Sequence, residues 1–485
     1  MTATLPHIIW LQMKKIIVIA VLTALSLCLY GADKISSPII KAGDNVAFVG
    51  DSITHGGHSS EYIMLYYITR YPDMRVKFLN LGIGGDSANG LLRRMDSEIL
   101  KTEPKVAFLM IGMNDCSRWL YSLDSKQTAE EKEKNIKQTN KNYRSNLAKV
   151  IEILSKNTRS VVLFTPSIYD QTAKVKTPPC LGVNDTLKLY GEYGSEIAQS
   201  YPNVLVADIW SELQRVNSMM QKDDPYSTII GRDRVHPASA GGFVMAYKYL
   251  IDAKENPTVS KVSIIAGEKP KVALLENCDV SDLKSVGGGV SFKILEFALP
   301  MVVSGRTLDG ESRTDFQENL NREILKVCGL ANGDYELRID GKSVGRYSAS
   351  ELSVGVNLAG NDKTPQYAQA VKIAEICSEI RGKYASQRNL YFVEHFLLKD
   401  IKDFSDVQKS YFGSRKDIRL GKIRRGVLYR KQGKRKADAR RSIRSARRRL
   451  RCSRNKNKNI RNTSRKIGAL FIARISGYSA KISGN

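Results

Sequence analysis

The sequence predicts an α/β fold in which helices cover both faces of a five-stranded parallel sheet, followed by a smaller, mainly β domain. Between residues 45 and 254, short apolar or β-branched runs alternate with longer amphipathic runs. This alternation is typical of successive βαβ units, which build parallel sheets. A chain of 485 residues is long enough for two or three domains, so the α/β region is one part of a larger molecule.

The elements of the first domain, to which we assign residues 41–255, follow one another in order. We expect strands at 46–49, 76–81, 106–111, 161–164 and 204–207. We expect helices near 60–70, 88–100, 131–156, 186–200, 209–221 and 237–254. Ligands bind at the carboxyl ends of the strands in such sheets, so the residues that directly follow a strand are the candidates for function.

After Pro257 the pattern changes to shorter alternating stretches separated by turn signals such as Gly287-Gly-Gly289 and Asp340-Gly341. Such turns join antiparallel strands, and the segment 336–347 has the pattern of a hairpin. We assign residues 260–358 to a mainly β accessory domain. We assign residues 359–410 to a helical segment, within which 366–399 is expected to be a pair of helices.

The basic charge of the chain is concentrated at its end. Residues 411–485 hold 26 Lys and Arg against two Asp, whereas the first 410 residues hold 50 basic and 47 acidic residues. Like charges at this density oppose compaction, so a disordered, low-complexity tail is expected. A shift of reading frame in the gene is an alternative explanation, because Lys- and Glu-rich codons read out of frame yield Arg, Lys and Ser.

The other end of the chain has the pattern of an export signal. Lys14 and Lys15 precede the apolar run 16–29, which is short for a membrane span. We expect a signal peptide over residues 1–32, cleaved near Ala32, and hence a secreted or periplasmic protein without stable membrane insertion after cleavage. A lipid anchor at Cys28 is a less favoured alternative, because Leu27 is bulky for such a site, and an uncleaved N-terminal anchor is another alternative.

The seven cysteines, at 28, 116, 180, 278, 328, 377 and 452, are scattered. They form no Cys-x-x-Cys pair and have no histidine at metal-ligand spacing, so no structural zinc is indicated. Export permits disulfides, but isolated cysteines more often fill small apolar sites.

The first motif, Val46 to Gly57, is an apolar strand running into a tight Gly-Asp-Ser turn that presents the hydroxyl of Ser52. A serine hydroxyl is a weak nucleophile at neutral pH, so it requires a base, a group that orients the base, and donors for an oxyanion. The next two predicted strands along the chain are followed by Gly85 and by Asn114, respectively. All three residues are therefore expected at one edge of the sheet.

The base is selected from only five histidines, at 7, 55, 58, 236 and 395. His7 precedes the signal, His395 lies in an aromatic helical run, and the pair at 55 and 58 follows Ser52 too closely to reach back. His236 alone has a carboxylate three residues earlier, at Asp233. One turn can hold that carboxylate against the imidazole while the other ring nitrogen faces the serine.

Four blocks in this order resemble the sequence blocks of the SGNH (GDSL-type) hydrolases: Gly50-Asp-Ser52, Asn80 to Asp86, Gly112 to Asp115, and Asp233 to His236. The resemblance covers residues 44–252 and implies a three-layer α/β/α, flavodoxin-like fold and hydrolysis of esters. It also implies that the Gly85 N–H and the Asn114 side-chain amide donate to the oxyanion, with the Ser52 N–H as a third donor.

We therefore expect a secreted serine esterase with Ser52, Asp233 and His236 as its catalytic residues, working through an acyl-enzyme and needing no metal or organic cofactor. Its partner is a small-molecule or polysaccharide ester, and we favour a short acyl group, acetyl, on a carbohydrate. Trp119 and Tyr121 follow the third strand and offer flat faces on which a sugar ring could stack, although packing at the rim explains them equally well.

Three other functions remain open. A lipase or lysophospholipase acting on longer acyl chains is less favoured, because no long apolar segment beside the motifs indicates a lid. The basic tail could bind nucleic acid or another polyanion, but it contains no recognition motif, so no specific nucleic acid is expected. A non-catalytic carbohydrate-binding relative is disfavoured by the complete set of motif residues.

Overall fold

The computed structural model describes residues 38–122, 124–392 and 478–484. Its first sheet is parallel and has the strand order β2-β1-β3-β4-β5. The strands are β1 (Asn45–Gly50), β2 (Lys77–Gly82), β3 (Val106–Met110), β4 (Ser160–Phe164) and β5 (Val204–Ala207). They agree with the predicted strands to within one residue. Because β1 lies between β2 and β3, the segment after β1 is flanked by the segments after its two neighbours.

Helices cover this sheet, as the α/β pattern predicted. They are α1 (Ser52–Gly56), α2 (His58–Arg70), α3 (Ala88–Arg94), α4 (Ala129–Asn157), α5 (Val183–Ala198), α6 (Ile209–Asp223) and α7 (Ser239–Asp252). The predicted helix at 88–100 is less regular than expected, because α3 continues as a π turn at Met95–Ile99 and a 3-10 turn at Leu100–Thr102. The β1 residues from Val46 to Gly50 are all buried, as befits a central strand covered on both faces.

The region after α7 contains two further sheets, with the strand orders β13-β10-β6-β7 and β12-β11-β14-β9-β8. The strands before the C-terminal helix are β6 (Thr258–Ile265), β7 (Lys271–Glu276), β8 (Cys278–Val286), β9 (Gly289–Glu296), β10 (Arg322–Cys328), β11 (Asp334–Ile339), β12 (Lys342–Ser348) and β13 (Val356–Asn357). Short helices lie between them, namely α8 (Leu308–Glu311), α9 (Phe316–Leu320) and α10 (Ala349–Val354). The predicted hairpin is β11–β12, and its two turn residues, Asp340 and Gly341, have φ values of +50° and +77°.

The last strand, β14 (Tyr478–Gly484), corrects the prediction of disorder for these residues of the tail. It lies between β9 and β11 and pairs with both in antiparallel register. Its side chains Ala480 and Ile482 are buried in the core of that sheet. A seven-residue strand with this pattern is stabilised by its two neighbours, which are distant in sequence. The rest of the predicted tail lies outside the described residues.

The helical segment is described as one continuous helix, α11 (Pro365–Phe392), rather than the expected pair. Gly382 does not interrupt it, because glycine weakens a helix without blocking its hydrogen bonds. Four buried side chains of α11 belong to the hydrophobic core of the first domain: Ala370, Ile373, Cys377 and Ile380. The helix therefore packs on the α/β domain, although a whole accessory region separates the two in sequence.

The expected signal peptide, Cys28 and Cys452 lie outside the described residues. Among the residues that are described, no helix is long and apolar enough to cross a membrane. The cysteines at 116, 180, 278, 328 and 377 are free thiols, and those at 116, 278 and 377 are buried.

Candidate active site

Ser52 is the first residue of α1, directly after the central strand β1. The buried Asp51 caps this helix by accepting the Ile53 N–H at 2.9 Å, which fixes the turn that presents the serine. The neighbouring strand ends at Gly82, where an added Cβ would lie 2.2 Å from the backbone nitrogen of His55. Glycine thus allows α1 to lie directly against the end of β2.

Ser52, His236 and Asp233 form one hydrogen-bonded chain. The Ser52 Oγ lies 2.7 Å from the His236 Nε2, and the His236 Nδ1 lies 2.6 Å from the Asp233 Oδ2. The other oxygen of Asp233 accepts the backbone N–H groups of Val235 and His236, at 3.0 and 3.1 Å. Partial burial raises the pKa of Asp233, but these hydrogen bonds outweigh it and hold the pKa below its ordinary value. The carboxylate is therefore ionised and fixed in orientation at neutral pH.

Arg234 anchors the turn that carries this pair, a role that the sequence did not reveal. Its φ of +66° places a non-glycine residue in the left-handed region, which costs free energy unless other contacts compensate. The buried guanidinium supplies such contacts by donating to the carbonyls of Thr177 and Asp170, each at 2.7 Å. Its position between Asp233 and His236 was the only sequence signal available.

Gly85 and Asn114 lie at the carboxyl ends of β2 and β3, on either side of Ser52. Gly85 has a φ of +79°, and the space that a Cβ would occupy is open, so backbone conformation rather than crowding within the fold requires glycine there. The Asn114 Nδ2 donates to the Asp86 carbonyl at 2.9 Å, which joins the two segments. The structure thus brings both residues predicted to donate to an oxyanion to the edge occupied by Ser52.

Three carboxyl groups lie beneath this edge. Burial raises the pKa of Asp51 to about 6 and that of Asp115 to about 7, and it also raises the pKa of Asp86. One oxygen of Asp115 accepts the Ala88 N–H at 2.9 Å, and the other is buried without a partner among the described residues. Desolvation of the ionised form explains all three shifts.

The outer side of the site is open to solvent. The side chains of His236 and Asp233 are 46% and 53% exposed. Trp119 is 62% exposed on the 3-10 turn Arg118–Tyr121. Tyr121, by contrast, is buried and hydrogen-bonded to the Thr186 hydroxyl at 2.6 Å, so its ring is not available for the stacking considered from the sequence.

Two other histidines, His55 and His58, lie among the described residues. The Nε2 of His55 lies 2.9 Å from the Ala385 carbonyl of α11. His58 is largely buried, and burial lowers its pKa to about 4, so it is neutral at physiological pH. His7 and His395 lie outside the described residues.

Serine hydrolases have a serine hydroxyl hydrogen-bonded to an imidazole, which is in turn hydrogen-bonded to a carboxylate. Here these three groups lie at the carboxyl edge of a parallel sheet, where ligands bind. Residues 46–248 match the family model described as GDSL-like lipase/acylhydrolase, and this part of the chain belongs to that family, as the motifs predicted. The protein is accordingly a carboxylic ester hydrolase.

Two relatives illustrate the similarity. An acetylxylan esterase from Geobacillus stearothermophilus is 24% identical over 226 residues, which are 44% of this chain and 94% of the relative. The structure of a gut microbial diltiazem-metabolizing enzyme is 27% identical, with a TM-score of 0.74, and the match covers 94% of this chain and all of the other. The second similarity extends over the accessory region as well as the hydrolase domain.

Proposed function

We propose that this protein is an exported esterase that removes acetyl groups from carbohydrates through an acyl-enzyme on Ser52. The observation that carries the proposal is the hydrogen-bonded chain Ser52–His236–Asp233 at the carboxyl edge of the sheet. Each distance is within the range that proton transfer and orientation require.

In the proposed mechanism, the Ser52 Oγ attacks the ester carbonyl carbon while the His236 Nε2 takes the hydroxyl proton. The imidazolium then gives this proton to the oxygen of the leaving alcohol as the C–O bond breaks. Water, deprotonated by the same nitrogen, attacks the acyl-enzyme and releases the carboxylic acid. Asp233 keeps the imidazole oriented and stabilises its charged form.

The oxyanion that forms in each half of the reaction requires preorganised donors. We assign this role to the Gly85 N–H, the Asn114 amide and the Ser52 N–H. The Ser52 N–H belongs to the first turn of α1, whose amide groups have no partner within the helix. A donor of this kind typically contributes about 3 kcal/mol of barrier reduction.

The openness of the site supports a substrate whose alcohol part is large and remains partly in solvent. The exposed Trp119 lies five residues after Asn114, and its flat face suits a sugar ring. The acetylxylan esterase relative supports an acetyl group on a carbohydrate. The segment with the pattern of a signal peptide supports export, with cleavage near Ala32 rather than lipid anchoring at Cys28.

A panel of p-nitrophenyl esters from acetate to decanoate, together with acetylated xylan and diltiazem, tests the proposal. We expect the highest kcat/KM on acetate and release of acetic acid from the polysaccharide. Ser52→Ala should abolish nearly all activity. Ser60→Ala, which removes a similarly half-buried hydroxyl from the next helix, should retain it. A preference for chains of eight or more carbons, or full activity of Ser52→Ala, would contradict the proposal.

The role of Trp119 is tested with two variants on acetylated xylo-oligosaccharides and on p-nitrophenyl acetate. Trp119→Ala should raise KM for the oligosaccharide several-fold, because stacking on an aromatic face contributes on the order of 1 kcal/mol. Trp119→Phe, which keeps a flat face, should retain most of the affinity. Unchanged kinetics of Trp119→Ala on the oligosaccharide would exclude the stacking role.

A further inference from the structure

The C-terminal helix α11 reaches the hydrolase domain next to the candidate oxyanion site. Its Arg381 forms an ion pair with Glu61 of α2 at 2.5 Å, and its Ala385 carbonyl meets His55 of α1. Closer to the end of the helix, Arg388 is also buried, at 8% exposure. This residue extends to the carboxyl end of β2, the strand that precedes Gly85.

Arg388 contacts the backbone at this strand end directly. Its Nε donates to the Gly82 carbonyl at 3.1 Å, and one terminal nitrogen lies 3.4 Å from the Leu81 carbonyl. Its other terminal nitrogen pairs with Glu98. A planar guanidinium is suited to such a site, because it can donate in several fixed directions at once.

From Glu98 the contacts continue to the loop that carries Gly85. The second oxygen of Glu98 accepts from Arg94 at 3.0 Å, and the Arg94 Nε donates to the Asp86 carboxylate at 2.8 Å. The backbone carbonyl of Asp86 holds the Asn114 amide at 2.9 Å. The side chains of Arg94, Glu98 and Asp86 are all largely buried.

The charges of this network cancel, because it contains two positive guanidinium groups and two negative carboxylates. Removing one member of a buried network leaves its partner charged and unpaired, which is costly in a poorly solvated place. Without Arg388, Glu98 and Asp86 would share the single guanidinium of Arg94. The end of β2 would then lose its contacts with the guanidinium of Arg388, and the loop from Ile83 to Ser87 would lose the fixed position of Asp86.

We propose that Arg388 is a positioning residue, supplied by the C-terminal helix, that holds the two oxyanion donors of the hydrolase domain in place. The inference rests on the roles assigned above to Gly85 and Asn114. Arg388 acts through Glu98, Arg94 and Asp86, and it touches no substrate itself. Displacement of the donors weakens binding of the transition state more than binding of the ester, so the effect falls on kcat rather than on KM.

Steady-state kinetics on p-nitrophenyl acetate with the full-length protein tests the proposal. Arg388→Met should lower kcat about ten-fold and change KM by less than about two-fold, since donor geometry and not substrate binding is altered. Arg381→Met is the matched control, because it removes an ion pair from the same helix to the same domain. It should lower the melting temperature but leave kcat within about two-fold of wild type. Equal kcat values for Arg388→Met and wild type, or equal losses in the two variants, would overturn the proposal.

A double-mutant cycle separates positioning of the donors from a general loss of stability. If Arg388 acts through Asn114 and its neighbours, Arg388→Met should cost less than about three-fold in an Asn114→Ala background. A full ten-fold loss in that background would show that Arg388 does not act on the Asn114 amide and would overturn that part of the inference. Should Arg388→Met fail to fold, Arg388→Lys provides the same cycle, because it keeps the charge beside Glu98 while losing the fork of donors.

The same series distinguishes this inference from the proposed function. If Asn114→Ala leaves kcat unchanged, the oxyanion assignment fails and the positioning role fails with it. If Asn114→Ala lowers kcat by two to three orders of magnitude while Arg388→Met does not, only the positioning role fails.

Discussion

At the scale of single residues, the turn from Gly231 to His236 depends on the buried guanidinium of Arg234. The backbone of Arg234 is in the left-handed region, and its side-chain hydrogen bonds to Thr177 and Asp170 compensate for that conformation. We expect Arg234→Met to lower kcat on p-nitrophenyl acetate by about ten-fold or more, because the Asp233–His236 pair loses its fixed orientation. Arg232→Met, at an exposed neighbouring arginine, should leave kcat unchanged. Wild-type kcat in Arg234→Met would show that the turn holds its shape unaided.

Asp115 provides a second prediction at this scale, concerning stability. Because burial raises its pKa to about 7, the folded protein binds this proton more tightly than the unfolded chain does. Its contribution to the free energy of unfolding is therefore greatest below about pH 4 and is lost as the pH rises towards 7.

The side chain of Asp115→Asn cannot ionise, so this variant should not lose that part of its free energy of unfolding as the pH rises. We expect its free energy of unfolding, relative to wild type, to increase between about pH 4.5 and about pH 8 when measured by urea denaturation. The Ala88 N–H can still be accepted by the amide oxygen of the variant, so the helix start is retained. A difference from wild type that does not change with pH would contradict the assignment of a buried carboxylate that ionises over this range.

The sequence was sufficient to select the residues of the proposed catalytic site and insufficient for the residues that hold them in position. Ser52, Gly85 and Asn114 each follow a strand, and the scarcity of histidine leaves His236 as the base, so local pattern and elimination place all four at one edge. Arg234, Arg388 and Glu98 carry no such signal. An arginine is recognisable as buried only when its carbonyl and carboxylate partners, up to 307 residues away, are known.

At the scale of secondary structure, the parallel sheet and its helices could be predicted because apolar periodicity is a local property. The five strands of the first sheet lie within one residue of their expected limits. Hairpin β11–β12 was predictable for the same reason, since its Asp-Gly turn is encoded in two adjacent residues. The boundary of α3 was harder to predict, because its continuation into π and 3-10 turns depends on packing.

Two elements show where local pattern fails. The strand β14 contains small and polar residues, and it is a strand because β9 and β11 supply hydrogen bonds on both sides. In isolation a segment of this composition within a basic stretch favours disorder. For α11, the helical spacing of Ala, Ile and Glu predicted a pair of helices where the structure has one, and it did not predict which part of the molecule the helix packs against.

At the scale of the whole molecule, the order of segments along the chain differs from the order of packing. Residues 298–303 and 316–320, assigned from the sequence to the accessory domain, also include members of the hydrolase core, such as Leu299, Met301 and Phe316. With α11 they extend that core well beyond residue 255. The similarity of the diltiazem-metabolizing enzyme over nearly the entire chain agrees with a hydrolase domain that is accompanied by these segments.

Two truncations test this arrangement. Ending the chain after Ser410 removes β14 and exposes the facing edges of β9 and β11, but it leaves the hydrolase core and α11 in place. We expect this protein to keep its kcat/KM on p-nitrophenyl acetate and to melt at a lower temperature, since burial of Ile482 alone contributes about 2 kcal/mol. An unchanged melting temperature would show that β14 does not stabilise the accessory sheet.

Ending the chain after Gly360 removes α11 as well, and with it four buried side chains of the hydrolase core and the contact of Arg388 with the end of β2. Exposure of that apolar face should cost several kcal/mol, comparable with the whole stability of a typical domain. We therefore expect the shorter protein to be insoluble or inactive under conditions in which the chain ending at Ser410 is active. Co-expression of residues 361–410 as a separate chain should restore part of the activity, because the helix would refill the same groove. Full activity of the chain ending at Gly360, without that helix, would show that the hydrolase domain is independent of the C-terminal helix.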